Sequence, residues 1–170
     1  MAKKKDSSLG KLLYLGSIVA GVVAIAMIFL TSMKIEGSVF GLSGTTEYSG
    51  IDVVFGYSTD KVEYIKFSFL NLLPYLFVAG GVILVALKIC GISKTKLFDL
   101  ISIILFIAGG ALFFFTPNFV VLAESFKNAI TLANSIKTIV TKGLGMGAIL
   151  SGVLSIGAGV IIAVKNFLGK

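Results

Sequence analysis

The chain has 170 residues, of which 56% are hydrophobic and 14% are charged, and its mean hydropathy is +1.03. A water-soluble domain needs about a quarter of its residues charged to cover its core. The composition therefore excludes a soluble fold and predicts that lipid covers much of the surface. All 15 basic residues are Lys, and the sequence contains no Arg, His, Trp or Gln.

The missing residue types limit the chemistry that the chain can carry out. Without His, there is no side chain that ordinarily titrates near neutrality and no imidazole for a zinc or iron site. The single cysteine, Cys90, cannot form an intramolecular disulfide. We therefore predict no catalytic, cofactor-binding or metal-binding residues, no cofactor, and a protein that is not an enzyme.

Four apolar runs are long enough to cross about 30 Å of hydrocarbon as helices that rise about 1.5 Å per residue. We place these predicted spans at 12–32, 69–87, 97–115 and 144–164, and Asp99 is the one charged residue inside them. The runs are continuously apolar rather than alternating, which favours helices over a transmembrane barrel. The expected fold class is an all-α membrane protein, a four-transmembrane-helix bundle.

The lysines predict the orientation of these spans. Nine of them fall in the N-terminus 1–11, the turn 88–96 and the tail 165–170, and six fall in the longer segments on the other side. Because cytoplasmic loops carry the excess of basic residues, we expect both termini to be cytoplasmic in a multi-pass protein of the plasma membrane. Lysines that cap helix ends are typical of anchors facing anionic lipid, so we expect no nucleic-acid partner.

Segment 33–68, the larger expected extracytoplasmic segment, is too apolar and too aromatic for a linker. Short β-prone stretches at 38–42, 51–57 and 62–66 alternate with turn residues. This pattern predicts a small antiparallel sheet over the outer membrane face. The alternative is an irregular loop.

Segment 116–143, the second expected extracytoplasmic segment, changes character after Thr116 and Pro117. From Phe119 to Val140, apolar residues recur at helical spacing with polar residues between them. This spacing predicts an outer amphipathic helix of about five turns. Such a helix could lie in the outer interface or pack its apolar face on the first loop. The turn 88–96 is short, which predicts that the second and third spans are antiparallel neighbours.

Small residues recur every fourth position along the fourth span, and a shorter series occurs in the first. The members of this predicted helix-packing interface are Gly143, Gly147, Ser151, Ser155, Gly159 and Ala163, together with Gly16, Ala20 and Ala24. In lipid, such stripes let helix backbones approach closely and let Ser hydroxyls bond across the contact. We expect the two stripes to meet each other or a partner subunit.

Asn71 and Asp99 are the candidate polar residues within the predicted spans. Asn71 lies in the outer half of the second span, where an amide more often joins helices than binds ions. Asp99 is the third residue of its span, so we expect its carboxylate to reach headgroup water and Lys94 or Lys96. Cys90 is expected to be a small buried thiol, with acylation as the alternative.

The order of inside termini, long β-prone outer loop, short inner turn and shorter outer loop is similar to that of the claudin-like tetraspans. In the first loop of that family a Trp and a Cys pair follow Gly-Leu, whereas here Gly41 and Leu42 are followed by Ser43, and the loop contains no Trp or Cys. The resemblance is one of topology, and it implies no site residues.

These features predict a non-enzymatic integral membrane protein that acts through protein–protein contacts, as an assembly subunit or scaffold. Its expected partners are the lipid bilayer and other membrane protein subunits or further copies of itself. The alternative is a small pore or transporter subunit lined by the Gly and Ser residues of its helices.

Overall fold

The computed structural model describes residues 2–39, 42–60, 62–92, 95–135 and 139–168. Its elements in chain order are α1 (Ala2–Ala26), a 3-10 turn (Met27–Phe29), β1 (Thr31–Val39), β2 (Leu42–Ser49), α2 (Gly50–Phe55), β3 (Tyr57–Thr59), β4 (Val62–Lys66), α3 (Phe69–Ile89), α4 (Lys96–Phe113), α5 (Thr116–Phe119), β5 (Val121–Leu122), α6 (Glu124–Ser135), β6 (Ile139–Leu144) and α7 (Met146–Leu168). The chain divides into two compact units. A helical unit comprises Met1–Ala26, Leu73–Leu112 and Ser151–Lys170, and a mixed unit comprises Met27–Leu72 and Phe113–Leu150.

Four helices are long and apolar enough to cross a membrane, which confirms the prediction of a helical membrane protein. They cover Ser8–Phe29, Phe69–Ile89, Lys96–Phe113 and Met146–Phe167. The first of them ends before the predicted limit of residue 32, because Thr31 already belongs to β1 and pairs with Ser49.

The segments between these helices contain two three-stranded antiparallel sheets, so the all-α label describes the long helices alone. Strands occur in segment 33–68, where an antiparallel sheet is predicted, and also in segment 116–143, where only a helix is predicted. One sheet has the order β2-β1-β6 and the other has the order β3-β4-β5. In the first sheet, Met33–Ser38 of β1 pairs with Ile139–Leu144, a strand distant in sequence. The sequence pattern of a single segment cannot show such a pairing.

The predicted strand at 51–57 is also wrong, because this stretch forms α2. The Ser49 hydroxyl accepts a hydrogen bond from the Asp52 backbone N–H at 3.2 Å, and the Asp52 carboxylate accepts one from the Ser49 N–H at 2.9 Å. This capping box starts a helix because it satisfies backbone donors that the first turn leaves free. Gly56 ends α2 with a positive φ of 98°, and a Cβ there would lie 2.8 Å from the Ile65 carbonyl oxygen.

The predicted amphipathic helix over 116–143 is shorter than expected. Only Glu124–Ser135 forms it, as α6, and residues 136–138 lie outside the described part of the chain. Val121 and Leu122 pair with β4, and Ile139–Leu144 pairs with β1. Most of these flanking residues are β-branched or apolar, with Lys142 and Gly143 as the exceptions, and their backbone groups are satisfied in the sheets instead.

The mixed unit has an apolar core to which both sheets, α2 and α6 contribute. Its buried members are Met33, Ile35, Tyr48, Val53, Ile65, Val120 and Leu122, and Tyr64, Phe126, Ile130 and Val140 pack against them. The rings of Tyr64 and Phe126 meet edge to face, with centroids 5.4 Å apart. Of the two placements expected for the amphipathic helix, the structure therefore shows the one in which its apolar face packs on the first loop.

Candidate functional site

The main polar site of the helical unit is a charge cluster formed by Tyr14, Lys88, Asp99 and Lys165. The four residues come from α1, α3, α4 and α7, so each long helix contributes one. The Asp99 carboxylate lies 2.5 Å from the Lys88 ammonium and 3.3 Å from the Lys165 ammonium. It also accepts a hydrogen bond of 2.8 Å from the Tyr14 hydroxyl. One carboxylate thus links all four long helices.

Asp99 and Tyr14 are buried, the two lysines are half-buried, and the charges of the cluster pair with one another. Asp99 is 1% exposed, and the Lys165 ammonium also donates to the Tyr14 hydroxyl at 2.6 Å. The two ammonium groups lie 5.7 Å and 4.6 Å from the centroid of the Tyr14 ring, within the range of a cation–π contact. An unpaired charge would be costly at this depth, and the pairing removes that cost.

The structure corrects the expected surroundings of Asp99. The predicted partners were Lys94 or Lys96 and headgroup water, but the observed partners are Lys88 and Lys165. Lys94 lies outside the described residues, and Lys96 is exposed. Asp99 lies in the first turn of α4 on the side that faces the other helices, so its counter-charges come from those helices rather than from its neighbours in sequence.

The predicted packing residues of the fourth span lie largely against this chain's own helices. The Ser151 hydroxyl donates to the Ala24 carbonyl oxygen at 2.8 Å, and the Ser155 hydroxyl donates to the Phe106 carbonyl oxygen at 2.6 Å. A Cβ added at Gly159 would lie 3.1 Å from the Ile107 side chain. These positions are therefore occupied by intramolecular contacts.

Gly147 and Gly143 have different surroundings in the mixed unit. A Cβ at Gly147 would lie 2.9 Å from the Leu30 carbonyl oxygen, so the close approach at that position requires glycine. Gly143 does not extend the stripe along the helix, because it lies in β6 opposite Lys34. Ala163 is half-buried in α7.

The contact side of α1 is displaced from the predicted series. Gly16 is exposed, with no heavy atom within 4 Å of an added Cβ, and Ala20 is half-buried. The buried residues are instead Tyr14, Ser17, Gly21 and Ala24. The Ser17 hydroxyl donates to the Ala158 carbonyl oxygen at 3.0 Å. The alternating spacing of three and four residues in this second series is the usual signature of one helix face, and it was readable from the sequence.

Asn71 is a buried amide in the mixed unit that lacks a hydrogen-bond partner among the described residues. It is 2% exposed, and neither its side-chain oxygen nor its side-chain nitrogen is bonded. Its backbone N–H bonds to the hydroxyl of Ser68, which caps the start of α3 and also donates to the Phe119 carbonyl oxygen at 2.7 Å. An unpaired buried amide costs roughly 1–3 kcal/mol, so Asn71 is a candidate for contact with a further molecule.

The outer edge of β2 is the second candidate site in the mixed unit. β2 is the terminal strand of its sheet, eight residues long, and Ser43 to Glu47 are all exposed. Its one charged residue, Glu47, is paired with Lys34 at 2.7 Å and accepts a hydrogen bond from the Thr31 hydroxyl. The bond to Lys34 lowers the pKa of Glu47 and raises the pKa of Lys34. The strand contains no Lys or Pro, the residues that usually protect such an edge.

Cys90 is exposed in the turn after α3, so the expectation of a buried thiol is wrong. The helix ends at Ile89, and the chain reverses through Gly91, which has a φ of 78°.

Comparison of the chain with known protein families and with curated proteins finds no match.

Proposed function

We propose that this chain is a non-enzymatic integral membrane protein that acts through protein–protein contacts, as an assembly subunit or scaffold. The proposed location is the plasma membrane, with both termini in the cytoplasm. The distribution of lysines supports this orientation, since nine of the 15 lie in the short segments 1–11, 88–96 and 165–170. The observation that supports the protein-contact function is the exposed outer edge of β2, which pairs with no further strand in the described part of the chain.

The contacts within the helical unit favour a supporting role for the helices. Ser17, Ser151 and Ser155 donate to backbone carbonyl groups of neighbouring helices, and Asp99 is held by three other side chains. Solute pathways through membranes are usually lined by polar groups that remain free to bind the solute. In the helical unit, the serine hydroxyls and the Asp99 carboxylate are bonded to other groups of this chain instead.

The proposed partner at the β2 edge is a second copy of the same chain. A free strand edge presents unpaired N–H and C=O groups that can pair with another strand. Two copies of β2 can pair antiparallel with Thr45 or Thr46 opposite its own equivalent. Glu47 then does not face the Glu47 of the other copy, so no two like charges lie opposite each other. Thr–Thr pairs across strands are themselves favourable.

Disulfide trapping in lipid nanodiscs tests this association. In antiparallel strands about a two-fold axis, one residue faces its own equivalent at about 4.5–5.5 Å, which is within disulfide range. In a Cys90→Ala background, either Thr45→Cys or Thr46→Cys should form a covalent dimer. The control Asn128→Cys, an exposed position on α6, should not. The double variant Thr45→Lys, Thr46→Lys is made in the protein that keeps Cys90 and carries no added cysteine. It should no longer form the non-covalent dimer.

The expected orientation has its own test. The exposed Cys90 should react with a membrane-impermeant maleimide only after cells are permeabilised, whereas Asn128→Cys in the Cys90→Ala background should react in intact cells. The function is wrong if the protein is monomeric, forms no crosslink and co-purifies with no other membrane protein.

A small pore or transporter subunit is the second candidate, and Asn71 is the observation that favours it. Its amide is buried within a candidate span and has no hydrogen-bond partner among the residues that the structure describes, as a solute-contacting group would be. Solute flux into liposomes that is lost in Asn71→Leu, while the variant still folds, would support this candidate. Solute flux that is lost in Ser151→Ala would likewise support a pore lined by small residues.

A further inference from the structure

The mixed unit contains a groove of about 510 Å³ that is lined mainly by apolar residues, together with Thr131 and two lysines. Val120 and Val121 line it from the β5 segment, Ile130 and Lys127 from α6, and Val140 and Lys142 from β6. The volume lies within the range of about 300–1,000 Å³ that is typical of small-molecule sites. A ligand for this groove therefore needs an apolar body and a negative charge.

Lys142 occupies an unusual position for a lysine. In the register of the sheet it lies opposite Ile35, a buried residue of the core, and Val140 lies two residues before it on the same face. Residues two apart in a strand share a face, so Lys142 interrupts the apolar side of β6. Lys142 is exposed overall, but its partial burial beside these residues and repulsion from Lys127 lower the pKa of Lys142.

The positive charge of the groove is not balanced within the described part of the chain. Lys142 forms no ion pair there, and the ion pair of Lys127 within 4 Å is a long contact of 3.9 Å with Glu124, between two exposed side chains. A bound anion would relieve both the repulsion between the lysines and the poor solvation of Lys142.

We propose that this groove binds a long-chain fatty acid, with the acyl chain along Val120, Val121, Ile130 and Val140 and the carboxylate at Lys127 and Lys142. A lysine ammonium is a compact charge with three hydrogen-bond donors, from which a carboxylate can accept. Val120, the first residue in sequence that lines the groove, follows closely after Phe113, the end of a candidate membrane span. We therefore take lipid as the source of the amphiphile. This proposal does not depend on the association of β2 edges.

Photolabelling of the full chain in nanodiscs of zwitterionic phosphatidylcholine tests the proposal. The probe is a C18 fatty acid that carries a diazirine on its acyl chain, and labelled peptides are identified by mass spectrometry. We expect label on the peptides that contain residues 120–131 and 140–142. Unlabelled oleate should compete far better than oleyl alcohol, which has the same chain without the charge.

Lysine variants test the role of the charge. Lys127→Gln combined with Lys142→Gln should reduce labelling of these peptides by about tenfold, the effect of losing one charge-assisted contact. Lys34→Gln, which removes a lysine of the same unit outside the groove, should leave labelling unchanged. Thermal unfolding of each variant shows that the unit is intact.

Four results would overturn the proposal. The first is label confined to the four apolar helices, and the second is equal competition by oleate and oleyl alcohol. The third is displacement of the probe by an acidic peptide as effective as displacement by oleate, which would make the groove a peptide site. Insensitivity of labelling to the double lysine variant would likewise remove the assigned carboxylate position.

Discussion

The ammonium group of Lys88 lies 2.5 Å from the carboxylate of Asp99, and this pair joins the end of α3 to the first turn of α4. Tyr14 and Lys165 bring α1 and α7 to the same carboxylate. The four long helices are therefore held together at the charge cluster by contacts between side chains that are distant in sequence.

Replacing Asp99 should strongly destabilise the helical unit. Asp99→Leu leaves two lysines without their counter-charge, and loss of one partner from a buried ion pair costs about 3–5 kcal/mol. Thermal unfolding in detergent should show a large drop in melting temperature. Glu124→Gln, which removes an exposed and loosely paired acid, is the control and should melt like the parent protein.

A compensating substitution separates the charge from the shape of this site. Lys88→Met added to Asp99→Leu should recover part of the lost stability, because an apolar pair of similar volume often replaces a buried ion pair without loss. If the double variant is no more stable than Asp99→Leu, the cost does not come from the unpaired Lys88.

Two glycines of α1 should respond oppositely to substitution by alanine. A Cβ at Gly21 would lie 2.5 Å from the Val82 side chain and 2.9 Å from the Phe106 ring, and such overpacking costs about 1–3 kcal/mol. Gly16 is open, so Gly16→Ala should be neutral or should stabilise the helix by up to about 1 kcal/mol. Melting temperatures of the two variants in one detergent check this, and equal effects would contradict it.

The hydroxyl groups of Ser151 and Ser155 should contribute to the stability of the single chain. Ser151→Ala and Ser155→Ala each remove one bond between helices, for an average loss of about 0.6 kcal/mol and at most about 1.7 kcal/mol. The exposed Ser8 provides the control, Ser8→Ala. If either variant lost self-association while its unfolding was unchanged, the stripe would act between chains instead.

Replacing Lys142 by methionine should stabilise the unliganded protein. The fold disfavours the charged form, so the unfolded chain binds the proton more tightly and native stability rises as the pH increases toward 10.5, the ordinary value for lysine. Because the side chain is largely exposed, we expect a gain of only about 0.5 kcal/mol near neutrality. The difference between Lys142→Met and the parent should shrink as the pH approaches that value, and a constant difference would contradict the assigned cause.

The sequence predicts the helices well because the signal for a membrane span is local. An apolar run of sufficient length is visible in any window, and four such runs correspond to four helices in the structure. The capping box of Ser49 and Asp52 was equally readable, but the β-branched residues after it suggested a strand. The contact side of α1 was readable too, at Tyr14, Ser17, Gly21 and Ala24.

Partners that come from distant segments could not be predicted. The counter-charges of Asp99 lie on α3 and α7. The short turn 88–96 predicts that α3 and α4 are neighbours, but the sequence does not show which side chains of these helices meet or that α7 lies beside α4. The strand β6 was interpreted as the end of an amphipathic helix because its apolar residues continue the helical spacing of α6. This segment is a strand because it pairs with β1, and the residues of β1 lie about a hundred positions away in sequence.

The order β2-β1-β6 also has a consequence for how the protein is made. β1 is the central strand, and β6 is synthesised about a hundred residues later, after three of the four candidate spans. At about 5–20 residues per second, one edge of β1 stays open for on the order of 5–20 s on each translating ribosome. A chain stalled or truncated before residue 139 would keep that edge exposed, so β6 completes this sheet of the mixed unit late in biogenesis.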